Sequence, residues 1–432
     1  MQESILYKEK TSTKEFLVSK SENKVFEVPD DCIDTSFLNV KFPDLLSGDG
    51  ILLKWSEFTS CLEKFSVISV HTDSMPDSEI CQQVLADIAT IVNDICADRS
   101  GFWGLLEKNT FTLTIPDKNN AKAIKIAKKI RGDLSKIRPE TVSIGIAHYP
   151  ELSFEKDVII NNSVKALEHS YFFEGNSIVS FDAVSLNISG DKFYLEGKID
   201  LAIKEFENAI KISPNNVNVR NSLGICYGIQ NRAEDALEEF EEAINLDPNE
   251  VMAIHNAGLI CSMVGDSSNA LSYFLKADSF EHNLYEVKFH LGKHYFEEND
   301  IDKAADYLNS ASQIKESSLA YYYIAECQFA KGSFKKAVKS CKKAVKLSPN
   351  NGQALSLLSE LFFQIEENID ITITFARHSV AIEPDNGLFR KRLGKLLYVN
   401  KDNDEALEEF ETASSLGEDV SEYIDELRLK SA

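Results

Sequence analysis

The run Ala202-x3-Phe206-x2-Ala209-x4-Pro214 returns as Ala236-x3-Phe240-x2-Ala243-x4-Pro248, shifted by 34 residues at every position. A fixed period of this length constrains the fold more than any local propensity, because each unit must bury its apolar face on its neighbours. The period continues through Ala270, Phe274 and Ala277, then Ala304, Leu308 and Ala311, then Ala337, Cys341, Ala344 and Pro349. A sixth, degenerate unit keeps Ala376 and Pro384, and a seventh has Ala406, Phe410 and Ala413. Upstream of these runs stand Leu223-Gly224-x2-Tyr227, Ala257-Gly258-x2-Cys261, Leu291-Gly292-x2-Tyr295 and Leu393-Gly394-x2-Leu397. Turn formers separate the two halves of each unit, among them Gly197-Lys198, Asn231-Arg232, Gly265-Asp266, Asn299-Asp300 and Gly332-Ser333. Each unit therefore predicts two antiparallel helices. Small residues let the helices approach closely, an aromatic side chain fills the space beside them, and a proline ends the second helix.

This pattern resembles the tetratricopeptide repeat over roughly residues 185–420. The resemblance implies an all-α part, a solenoid superhelix of about seven repeats assigned to residues 183–420, that binds a protein or peptide ligand. Residues 421–432 read as a polar capping helix over the seventh unit, as an open-ended array requires. No linker composition separates Phe181 from the first unit, so the preceding domain is expected to pack directly on it.

Upstream, Phe65–His71 has the length and β-branched content of a strand. A helix is expected at about 78–97, strands near 101–106 and 109–115, and a helix at about 118–134. A strand at 141–147, a helix at 157–172 and a last strand at 177–181 complete an α/β sandwich with helices covering the sheet. The segment Thr141-Val-Ser-Ile-Gly-Ile-Ala147-x-Tyr149-Pro150 is similar to a strand of diguanylate cyclase (GGDEF) domains. Ala166-Leu167, Gly175-Asn176, Phe181-Asp182 and the opening Asp44–Gly48 resemble the same family, over residues 42–182. That resemblance implies a bacterial signalling protein with an α/β sandwich of GGDEF-like type.

The departures imply a degenerate domain. The two metal-holding carboxylates of the family fall at His71 and Asn109, and the signature loop reads Glu107-Lys108-Asn109-Thr110-Phe111. The phosphate-side lysine falls at Tyr171, and the product-site motif would run from Asp98 to Gly101 without its arginine and aspartate. Two-metal phosphoryl transfer needs anionic ligands, which Asn109 and one imidazole do not supply, so no enzyme activity, metal or cofactor is expected. His71, Asp73 and Glu107 read better as a strand-end histidine and two solvated carboxylates than as a remodelled metal site.

Composition narrows the setting. Over 432 residues, 43% hydrophobic and 27% charged, no run approaches the roughly 18 consecutive apolar residues of a membrane span. The start, Met1–Lys8, lacks a signal-peptide pattern, so a cytoplasmic location is the default expectation. Eight scattered cysteines with no CxxC or CxxH pair point to free thiols in a reducing compartment. A formal charge of −23 opposes nucleic-acid binding. Residues 1–41 are a polar extension that reads equally as a mobile arm or a small strand pair.

In the repeat family the second, fifth, sixth and ninth positions of each first helix face the concave groove. By that resemblance the groove offers Asn218 and Asn221 in the second unit, and His255 and Asn256 in the third. Phe289, His290 and Lys293 follow in the fourth, Tyr322 and Tyr323 in the fifth, and Lys391, Arg392 and Lys395 in the seventh. An acidic or C-terminal carboxylate is expected on the cations, with an apolar side chain on Tyr322 or Phe289. The leading expectation is a protein-binding scaffold, and the alternative is a receptor for GTP or a cyclic dinucleotide. A further pattern lies on the second helices: Lys335, Lys336, Lys339, Lys342, Lys343 and Lys346 share one arc, and Glu234, Asp235, Glu238, Glu239, Glu241 and Glu242 share the corresponding arc of the second unit. Such stripes are most simply solvated faces, and their complementarity also admits self-association.

Overall fold

A computed structural model of the chain describes residues 35–73, 78–106, 110–116 and 120–431. The expectations for residues 1–34, including Cys32, and for Glu107, Lys108 and Asn109 lie outside the described residues. The chain forms two compact units, Met1–Pro248 and Asn249–Ala432, so the division falls inside the repeat array.

The first unit opens with helices α1 (Ser36–Lys41) and α2 (Asp49–Ser60). There follow β1 (Phe65–Thr72), α3 (Ser78–Ala97), β2 (Phe102–Leu105), β3 (Phe111–Pro116) and α4 (Asn120–Leu134). β4 (Val142–Tyr149), α5 (Ile159–Ser170) and β5 (Ile178–Ser180) complete the sheet domain. The sheet order is β2-β3-β1-β4-β5, antiparallel except for the β4–β5 pair. β1 is central and all eight of its residues are buried. Its alternation sorts them by face. Ile68 and Val70 join Val84, Leu85 and Ile88 of α3 and Ile126, Ala127 and Ile130 of α4 in one core. Phe65 and Val67 point the other way, to Trp55, Ala147, Ile159 and Ile160.

On that second face several serine, threonine and tryptophan groups bond to one another. Ser69 Oγ lies 3.2 Å from Thr112 Oγ1 and 2.8 Å from Ser163 Oγ, and Trp55 Nε1 donates to Thr114 Oγ1 at 2.8 Å. Gly145 lets α5 lie directly on β4, since a Cβ there would stand 2.1 Å from the Ser163 carbonyl oxygen. Ile80–Ala97 of α3 is long and apolar enough to cross a membrane by length and composition, although polar residues such as Gln82 and Gln83 interrupt its apolar run. Here its apolar side contributes Cys81, Val84, Leu85, Ile88, Val92 and Ile95 to the sheet's core.

Two helix pairs complete the first unit: α6 (Ala183–Leu195) with α7 (Ile199–Ile212), and α8 (Val217–Ile229) with α9 (Ala233–Leu246). No linker precedes them. Asp182, two residues past β5, caps α6 by accepting from Ser185 N at 2.9 Å in a capping box. The sheet domain packs on the first pair through α5. Lys165 pairs with Glu205 at 2.7 Å, both largely buried, and Lys192 pairs with Glu168.

The second unit contains α10 (Val251–Met263) with α11 (Ser267–Phe280), α12 (Tyr285–Glu297) with α13 (Ile301–Ile314), and α14 (Ser318–Ala330) with α15 (Phe334–Leu347). It continues with α16 (Gly352–Gln364), α17 (Ile369–Ile382), α18 (Gly387–Asn400), α19 (Asn403–Ser415) and a final α20 (Ser421–Ser431). The small-residue rule explains how each pair closes. Gly224 has Phe240 Cε1 2.7 Å from the place its Cβ would occupy, and Gly258 has Phe274 Cε1 at 2.8 Å. Any larger residue at these two positions would push the helices apart. The final helix packs on the pair before it: Tyr423 stacks on Phe410 at 4.7 Å, and Leu427 is buried in the same cluster.

Candidate functional site

Two regions carry the candidate chemistry. The first is the end of β1, where His71 and Asp73 stand. Asp73 accepts from Thr141 Oγ1 at 2.5 Å, from Asn176 N at 2.6 Å and from Ser143 Oγ, and its own N–H donates to the Thr141 carbonyl. Its carboxylate thus ties β1 to β4 and to the turn before β5. His71 is 5% exposed, with Nδ1 3.2 Å from Thr110 Oγ1 and its ring edge-on to Tyr171. Burial first, then the nearby Glu168 and Asp73, pushes the Tyr171 hydroxyl well above the ordinary range. No group of three or more His, Cys, Asp or Glu placed to hold a metal occurs among the described residues. The arrangement is a set of internal ties, and what it does chemically is hold the strand ends in register.

The second region is the line of first helices. In the first unit, α8 carries Asn218, exposed, and Asn221, half-buried. The same register one period earlier falls on Asn187 and Asp191 of α6, which the sequence reading passed over although both stand 34 residues before Asn221 and Ile225. Asn187 Nδ2 donates to Asp191 Oδ2 at 3.3 Å, while the Oδ1 atoms of both residues are enclosed without a hydrogen-bond partner. Burial lifts the Asp191 carboxyl to about 7.

In the second unit the expected groove residues divide into three sets. His255 has no exposed surface and Asn256 is 5% exposed, so neither presents a docking face in this conformation. The His255 ring lies 5.1 Å from His290 and 5.6 Å from Phe274, and His290 stacks on Phe274 at 5.7 Å. Burial lowers His255 to about 4, partly countered by its hydrogen bond with Asn256. Burial, then His255 and Lys293, holds His290 well below the ordinary histidine range. Both rings are neutral packing groups at neutral pH.

The aromatic set follows. Phe289 meets His290 edge-on at 5.2 Å and Tyr323 at 5.8 Å, and Tyr323 meets Tyr322 at 5.1 Å. Tyr322 and Tyr323 are half-buried, and the Tyr322 hydroxyl donates to Glu326 Oε1 at 2.8 Å. The cationic set is dispersed. Lys293 reaches Glu297 at 3.8 Å, Lys391 pairs with Glu418 at 3.0 Å, and Lys395 lies over the Tyr423 ring at 5.8 Å. The last two are thus engaged by the segment that caps the array. Arg392 alone of the three on α18 turns toward the fifth and sixth units. It donates to Ser356 Oγ at 3.0 Å, and its charge acts on the Tyr322 hydroxyl. Since α14, α16 and α18 lie side by side, the structure brings Tyr322, Glu326 and Arg392 to one surface, Arg392 being held by the buried Ser356, and leaves Lys391 and Lys395 out of it.

Family models for the tetratricopeptide repeat match residues 190–229, 217–250 and 318–351. All three fall on repeats, and none identifies a catalytic domain. Among curated proteins, BBSome complex member BBS4 of Bos taurus is 27% identical over 136 residues, which is 30% of this chain and 25% of that protein. The chain spans between 12% and 25% of the curated relatives it matches. Among solved structures, the APC/C hetero-tetramer Cut9–Hcn1 superposes with a TM-score of 0.48 at 15% identity, covering 70% of this chain and 52% of that one. YrrB, described as a TPR protein with an unusual peptide-binding site, gives a TM-score of 0.37 at 19% identity, covering 45% of this chain and 97% of that one. The chain carries tetratricopeptide repeats, as helix pairs through its C-terminal two-thirds, preceded by a small mixed sheet.

Proposed function

We propose that the chain is a protein-interaction scaffold whose partner docks on the first helices α14, α16 and α18. The observation that carries this reading is the surface of Tyr322, Glu326 and Arg392, where half-buried aromatic area adjoins a guanidinium that donates to the buried Ser356 hydroxyl. Such a surface favours a segment with an apolar or aromatic side chain next to a carboxylate. Lys391 and Lys395 contribute only through their field, because Glu418 and Tyr423 hold them.

The test compares wild type with Tyr322→Ala/Arg392→Glu as baits, after circular dichroism shows equal helix content. A partner retained by wild type and lost by the variant supports the reading. A partner retained equally by both moves docking to another surface.

For the sheet domain we propose a degenerate cyclase-like module that acts as a cap on the first repeat. Support comes from the segment Thr141–Pro150 and from Asp73 and His71 being taken up in internal bonds. A receptor for GTP or a cyclic dinucleotide is the competing proposal, and a ligand-induced rise in melting temperature would establish it. A bacterial cytoplasmic setting belongs to the same proposal. The described cysteines are all free, and all but Cys61 are buried, as in proteins of reducing compartments.

A further inference from the structure

The second helices α9 and α15 carry opposite charge at the same positions. Glu234, Asp235, Glu238, Glu241 and Glu242 stand on α9, and adding 101 to each number gives Lys335, Lys336, Lys339, Lys342 and Lys343 on α15. The offset is a register match, because it also carries the buried Ala236, Phe240 and Ala243 onto the buried Ala337, Cys341 and Ala344. On both helices four of the five charged residues are exposed, with Asp235 and Lys343 half-buried. Neither helix has a charge of the opposite sign.

The pattern has a second property. Its five positions read the same in both directions about the central one, Glu238 or Lys339. Two such helices laid antiparallel therefore set Lys335 opposite Glu242, Lys336 opposite Glu241 and Lys339 opposite Glu238. The same register sets Lys342 opposite Asp235 and Lys343 opposite Glu234.

We infer that α15 of one copy docks antiparallel on α9 of a second copy, so that the chain self-associates head to tail through its outer helices. A second copy is favoured over a nucleic acid or an anionic membrane because it supplies acids at the spacing of the lysines. A polyanion with uniform charge would meet the lysines but also the remaining surface of a chain with net charge −23. Some of these side chains also make contacts within the chain. Asp235 also pairs with Arg232 at 2.7 Å, and Lys343 with Glu316 at 2.6 Å, both i,i+3 or inter-helix pairs at the rim. Lys342 is exposed, and its Nζ lies over the Phe362 ring at 5.1 Å. The contact is heterologous, since it joins α15 of one copy to α9 of another. It rests on the outer helices and is independent of the docking surface on α14, α16 and α18.

The experiment is a charge swap on the full chain, read by sedimentation velocity at about 0.1 M salt, where charges are screened beyond about 10 Å. One variant carries Lys335→Glu, Lys339→Glu and Lys343→Glu, and the other carries Glu234→Lys, Glu238→Lys and Glu242→Lys. Wild type is expected to gain mass with concentration into the hundreds of micromolar, and to lose that gain at about 1 M salt, where screening is complete within about 3 Å. Each variant alone is expected to associate at least tenfold more weakly, and the two mixed are expected to recover the wild-type mass. Both variants keep a negative net charge, so recovery reports matched faces and not bulk attraction. A wild type that stays monomeric throughout, or a mixture that fails to recover while the variants remain folded, overturns the inference. Retention of the monomeric wild type on an immobilised polyanion, lost in the lysine variant, would assign the stripe to an anionic partner and overturn it equally.

Discussion

Asp191 keeps a carboxyl among groups that offer it one weak donor, the Asn187 amide at 3.3 Å. Burial lifts its folded-state value to about 7, against about 3.9 for an unfolded aspartate. Between those two values the native chain binds more protons than the unfolded one, so stability falls as pH rises from about 4 to about 7. Replacing Asp191 by Asn removes the charge and gives Asn187 Oδ1 a donor. The variant should be more stable than wild type at pH 8 by on the order of 2 kcal/mol and nearly equal to it at pH 4, as read from urea midpoints. The histidine pair has the opposite sign. His255 is lowered to about 4 and His290 is held well below its ordinary value, so the unfolded chain takes up protons first as pH falls below about 6.5. Stability contributed by the neutral rings is full above that value and is lost progressively toward pH 4, by roughly 3 kcal/mol for His255 alone. Amide protection factors in α10 and α12, each referred to the intrinsic exchange rate at its pH, should fall more from pH 7 to pH 4.5 in wild type than in His290→Phe, which keeps a ring on Phe274.

At the scale of elements, the turns inside the repeats recur in one conformation. Gly197, Asn231, Gly265, Asn299 and Gly332 all have φ between 61° and 83°. The sixth unit places Glu366 at this point with φ 58°, a conformation that strains a side chain with a Cβ. Because Glu366 is exposed, Glu366→Gly should raise stability by about 1 kcal/mol in chemical denaturation. The same comparison shows what was legible beforehand. Glycine and asparagine announce the turn chemically, and Phe240 beside Gly224 announces the helix pair by size, so the regular units could be read from spacing. The sixth could not. Where Gly224 faces Phe240, its register holds Ser359 and Ala376, both fully buried. The space that a glycine and a phenylalanine divide elsewhere is divided there between two small residues, and Ala376, read from the sequence as the helix-pair alanine, stands at the aromatic position. The strands of the sheet domain were legible because β1 alternates between two apolar faces. The groove was legible only as positions. Register places His255 and Lys391 on the groove line, but whether their side chains meet solvent depends on Phe274, His290 and Glu418, which approach from other elements.

At the scale of the molecule, stability in a helix-pair array is local, since each pair contacts only its neighbours. The final helix α20 therefore protects the seventh pair and has no direct hold on the third or fourth. It buries Leu427 and, with the segment before it, Val420, and it lays Tyr423 on Phe410. Ending the chain at Gly417 removes those contacts, a loss on the order of 3–5 kcal/mol of burial. The loss should appear as faster amide exchange at Leu393 and Leu397 of α18, while Ile254 of α10 and Leu291 of α12 keep their protection. Uniform loss of protection across the second unit would mean that its pairs unfold as one block. The truncation also releases Lys391 from Glu418 and Lys395 from Tyr423. If a partner's carboxylate docks beside Arg392, the shortened chain should bind it more tightly in spite of its lower stability, because two cations then stand free one turn apart. Weaker binding would instead make the capping segment part of the docking surface.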